Sequence, residues 1–215
     1  MNPTQPGAIT KAWPRWTMIV LVILLVQVAL GAVVMHFLRP PYNPGFKEFP
    51  AMTILHVVLG GVFVLLAPFQ FVASIRKRWM SYHRWAGRLL VLIGVIVGLT
   101  AVFLAVVVPF SGNPERLING FFGVLFLACI WKGMTAIWRH DVRTHRRWMT
   151  RTLAMGLAPA TMRILFIPAV IILKPEPSDV TTLATLSIIS FSVAFPLHLL
   201  IAEIWIRSQQ GAPAT

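Results

Sequence analysis

Six long runs of apolar positions, separated by short polar or basic stretches, set the pattern of this chain. The runs lie at about residues 17–38, 51–75, 85–110, 117–138, 152–173 and 181–206. Each reaches the roughly 20 residues that a helix needs to cross a hydrocarbon core of about 30 Å. Helix is the expected state throughout, because lipid offers unpaired backbone groups no partners. The pattern therefore predicts an all-α, polytopic transmembrane helix bundle of about six spans over residues 17–206, with polar tails at 1–16 and 207–215.

Breaks in the pattern carry detail. Pro40, Pro41, Pro44 and Pro50 deny backbone donors between the first two spans, so residues 39–50 are expected to be ordered but not helical. Pro68 should kink the inner half of the second span. Gly60 and Gly61, and the Gly94-x-x-x-Gly98 face, invite close approach of neighbouring helices. The first run is longer than the apolar core of a secretory signal and lacks a small-x-small cleavage site, so it reads as a retained helix.

Composition agrees. Hydrophobic residues make up 57% of the chain and charged residues 12%, with mean hydropathy +0.77, too apolar for a water-soluble domain of 215 residues. The net charge of +13 raises nucleic acid as a partner, but the basic residues cluster at the ends of apolar runs, where they meet anionic lipid headgroups. Alternate loops hold thirteen Lys or Arg against four, which predicts both termini in the cytoplasm. Cys129 has no second cysteine to pair with and reads as a packing residue. No G-x-S-x-G, H-E-x-x-H or P-loop pattern occurs, and six acidic residues leave no intramembrane carboxylate pair for a divalent metal.

Candidate chemistry then falls on a few ionisable residues. Arg163 and Glu203 lie within the fifth and sixth spans, where a charge normally requires a partner, and an ion pair between them is expected. His83-Arg84 with Arg88, and His145-Arg146 with Arg151, follow two basic turns and open the third and fifth spans, a short and imperfect internal repeat. Interfacial anchoring is the reading this pattern favours for both histidines, together with Trp79, Trp85 and Trp148. The sharper alternative is haem b: two imidazoles at equal depth on separate spans, with Arg84, Arg88, Arg146 or Arg151 near the propionates, in an electron-transfer protein with a redox partner. No metal other than haem iron is implied. His56 lies near the outer end of the second span with no histidine in the fourth to face it, and His36 and His198 read as packing imidazoles. A small-molecule or lipid-binding protein, a transporter working as a homodimer, and a scaffold without catalysis are the other readings.

His56, the Ala67-Pro68-Phe69-Gln70-Phe71 run, His83-Arg84-x-x-Gly87-Arg88, His145-Arg146-Arg147-Trp148-Met149, Arg163 and Glu203 together resemble the bacterial membrane family known as domain of unknown function 2306, over roughly residues 50–207. The resemblance implies a multi-span bundle in the bacterial cytoplasmic (inner) membrane and no particular activity.

Overall fold

The computed structural model of the chain describes residues 15–38, 45–176 and 179–209. Most of the two tails, and Arg39 to Pro44 of the first loop, lie outside these residues. Among the described residues eight α-helices follow one another: α1 (Arg15–Leu38), α2 (Gly45–Glu48), α3 (Pro50–Leu66), α4 (Ala73–Arg78), α5 (Met80–Val107), α6 (Asn113–Trp138), α7 (Val142–Leu173) and α8 (Val180–Ser208), with a 3-10 turn at Ala67–Phe71. Six segments among the described residues are long and apolar enough to cross a membrane. The chain is an all-helical, multi-pass membrane protein.

Helices adjacent in sequence pack side by side from α5 to α8, α3 lies against α5, and α1 closes onto α3 and α7. In lipid there is little hydrophobic force between helices, so close packing of small residues carries the association. A side chain on Gly98 would collide with Leu127 of α6, and one on Gly61 would press on Val33 of α1, while Gly60 faces open space. Phe63 and Phe126 meet edge to face at 5.7 Å in the centre, beside Met155 and Cys129, the two most buried large side chains. Cys129 is thus a packing residue. Large apolar residues such as Leu24, Leu117, Trp131 and Ile172 are exposed, as a surface facing lipid requires.

Three expectations need correction. Residues Gly45–Glu48 form one helical turn within the stretch expected to be non-helical, since the prolines flank this tetrapeptide without interrupting it. Helices α5 and α7 begin at Met80 and Val142, several residues before the apolar runs, because amphiphilic basic residues sustain a helix once it leaves the hydrocarbon. At 32 residues, α7 spans about 48 Å and so projects beyond the membrane core. Pro68 does more than kink: α3 ends at Leu66, passes through the 3-10 turn, and resumes only as α4.

Candidate functional site: a basic cavity at one end of the bundle

Two connectors shape the basic end. In the first, Val72 is extended and the chain turns back along the bundle. The Arg76 guanidinium donates to the carbonyls of Gln70 at 3.4 Å and Phe71 at 3.1 Å, tying α4 to the end of the 3-10 turn. Burial, and then the nearby charge of Arg146, push the Arg76 pKa below the ordinary guanidinium range.

In the second connector His140 adopts φ 60°, and Asp141 caps α7 by accepting from the Thr144 backbone N–H at 2.9 Å. Hydrogen bonds from Thr144 hold the Asp141 carboxyl below the usual carboxylate range. The absence of a side chain at Gly133 lets Trp148 and Met149 of α7 settle on α6. There Nδ1 of His145 bonds the Gly133 carbonyl at 2.8 Å. Two cations lie near the Trp148 ring, Lys132 at 5.1 Å and Arg151 at 4.4 Å from its centroid.

Between these connectors, α1 and the end of α8 lies a cavity of about 2460 Å³. Arg84, Arg88, Arg143 and Arg146 are exposed at its mouth, and Arg76, Lys77 and Arg147 also line it. Its inner wall is apolar and buried: Leu25, Phe63, Leu90, Ile130 and Leu157. No acidic side chain lines it among the described residues. Seven cations around a low-dielectric space focus a positive potential in which an anion is favoured. His83 and His145 both open onto this cavity and lie close enough for their charges to interact. The His83 Nδ1 and Gln70 Oε1 atoms are buried without a hydrogen-bond partner, the latter beside Gly87.

The candidate residues therefore divide. His83, His145, Arg84, Arg88 and Arg146 converge on one cavity, whereas Arg151 turns away to donate from Nε to Glu203 at 2.5 Å. The expected pair of Arg163 with Glu203 is not formed. Arg163 is twelve residues farther along α7 than Arg151, about 18 Å, and its guanidinium donates to the Pro159 carbonyl at 2.8 Å. Glu203, near the basic end of α8, is level with Arg151 instead. His56 is remote from the cavity; its Nδ1 meets Val97 O and Thr100 Oγ1, each at 3.2 Å, pinning α3 to α5. His198 bonds Thr161 at 2.7 Å and touches the inner wall of the cavity. His36 packs edge to face on Phe37 at 5.4 Å.

Haem at this place would rest on two imidazoles, since no group of three or more His, Cys, Asp and Glu side chains fit to hold a metal ion occurs among the described residues. The bond from Gly133 O to Nδ1 of His145 leaves its Nε2 available, the arrangement by which a backbone carbonyl orients an imidazole ligand. His83 and His145 would be the iron ligands of such a group, and the arginines that line the cavity would meet its carboxylates. Gln70 and Arg147 entered the sequence reading only through the motifs of the family resemblance, and Arg76 and Arg143 were not singled out as site residues. Their signal was present in the basic turns, but the hairpin that returns them to the cavity depends on the break at Pro68 and the cap at Asp141.

The model of a family described as predicted membrane protein (DUF2306) matches residues 53–206, and the chain belongs to that family. No curated protein and no solved structure matches the chain.

Proposed function

We propose that this DUF2306 protein binds amphipathic anions from the basic side of a membrane, in the cavity between α1, the α3–α5 connector and α7. The observation that carries this reading is the lining: seven cations and no acid around a buried apolar wall. An acidic head is held by charge-assisted hydrogen bonds at the arginines, and an apolar tail replaces water against Leu25, Phe63 and Leu157. The bias of thirteen basic residues against four supports a cytoplasmic mouth, and the bacterial cytoplasmic membrane is the proposed location.

Dodecyl phosphate and neutral dodecanol, titrated against the purified chain and followed by the fluorescence of Trp138 and Trp205 at the cavity, test the idea. The phosphate should bind more tightly than the alcohol, more weakly at high salt, and more weakly after Arg84→Gln with Arg146→Gln. Equal binding of phosphate and alcohol would overturn it.

Haem b is a second reading within the same class, being an apolar ring with two carboxylates. What favours it is His145, held by Gly133 O with Nε2 available, sharing a cavity with His83. Bound there, the group would supply one-electron transfer, with Arg84, Arg88 and Arg146 at its propionates; Arg151 is engaged by Glu203. Haem content and the dithionite difference spectrum of the wild type, His83→Ala and His145→Ala decide this. Loss of haem in both variants supports the assignment, and equal haem in all three refutes it.

A further inference from the structure

Arg163 is a cation placed within the apolar part of the bundle, and no carboxylate answers it among the described residues. Glu203 is taken by Arg151, Asp141 and Asp179 cap α7 and α8, and Glu115 accepts from Ser111 and Asn119. Glu48 and Glu176 belong to connectors at the opposite end of the bundle from the basic cavity. Among the described residues Arg163 donates one hydrogen bond, to the Pro159 carbonyl, which leaves most of its five N–H donors for another partner. His56, fixed on α5 through Nδ1, lies within electrostatic reach of it. A cation within a membrane span that no carboxylate compensates among the described residues is a candidate site for an anionic ligand.

Its position relative to the cavity sets the side from which such a ligand would approach. The inner wall of the cavity includes Leu157 and His198, and His198 is bonded to Thr161. Leu157 precedes Arg163 by six residues, about 9 Å along α7, on the side leading to the bundle's other end. Phe63 closes the inner wall of the cavity at the level of Gly156, packed against Phe126 and beside Gly94 and Gly156, whose missing side chains leave it room.

We propose that Arg163 is a second docking point for the acidic head of the amphiphile that enters the basic cavity, so that the bundle passes this anion across the membrane past Phe63. The idea rests on the cavity reading and extends it from binding to transfer. No bond is made or broken; the head exchanges one set of guanidinium donors for another while the tail stays in an apolar environment.

The test uses the full chain in phosphatidylcholine vesicles with nitrobenzoxadiazole-tagged dodecyl phosphate and external dithionite, which bleaches only the label in the outer leaflet. Wild-type vesicles should lose the inner-leaflet signal as well. Arg163→Gln should slow that second phase by about tenfold while binding to the cavity, read from tryptophan fluorescence, is retained, and Arg163→Lys should restore part of the rate. A transfer rate in Arg163→Gln equal to wild type, with binding intact, overturns the inference. Wild-type binding without bleaching of the inner leaflet overturns transfer but leaves the cavity reading standing, whereas absence of wild-type binding removes both.

Discussion

Glu203 and Arg151 close on each other across α7 and α8 at 2.5 Å, and the Arg151 guanidinium also lies over Trp148 at 4.4 Å. This pair lies at the basic end, a level that Arg163 does not reach, and no acidic side chain lines the cavity among the described residues.

A double-mutant cycle on Arg151→Gln and Glu203→Gln should return a coupling of about 0.5–1 kcal/mol, modest because both side chains retain some exposure. The same cycle on Arg163 and Glu203 should return none. Chemical or thermal unfolding in detergent measures both, and a larger coupling for the second pair contradicts the geometry.

Gly98→Val should destabilise the bundle by about 1–3 kcal/mol, since even a Cβ at this position would overlap Leu127 and crowd Phe126. Gly60→Val, in open space, is the control and should be nearly neutral to packing. Equal melting temperatures for the two variants would show that α5 and α6 do not approach as described.

Asp141 makes part of the stability dependent on acid pH. Its carboxyl titrates below the ordinary range because Thr144 donates to the ionised form. The stabilisation is therefore complete above the unfolded value, near pH 3.9, and disappears as pH falls through the lower folded value. Asp179 at the start of α8 behaves alike through Thr182. Melting temperature measured from neutral to acid pH should fall less steeply in Asp141→Asn, which starts lower at neutral pH.

Single cysteines in a Cys129→Ser background report orientation, Cys129 itself being 1% exposed. In intact cells an impermeant maleimide should label Asn113→Cys, at the exposed first residue of α6, and should reach Arg143→Cys only after permeabilisation. The reverse pattern would place the cavity mouth on the outer side.

Apolar run length alone determined the fold class and the number of spans. Lipid leaves the backbone a single economical solution, so a run of sufficient length is a helix whatever its neighbours. Gly94 and Gly98 likewise announced a close helix contact, because small residues at that spacing share one face. The basic turns announced where the cations gather, and the match of motifs announced the family.

Partners across helices were decided only by the tertiary structure. Arg163 and Glu203 are opposite charges in consecutive spans, but pairing depends on axial level, and level is set by where α7 begins. That helix starts ten residues before its apolar run, which brings Arg151 rather than Arg163 opposite Glu203. His83 and His145 looked alike in sequence, yet one bonds the Gly133 carbonyl and the other has a buried Nδ1 without a partner. His56 became a pin between α3 and α5 because Thr100 and the Val97 carbonyl happen to face it. The cavity exists because Pro68 breaks one helix and Asp141 starts another, folding both basic connectors back over the same apolar wall. Periodicity and composition describe one helix at a time; a site made by the ends of several helices depends on their relative depth, which only their packing determines.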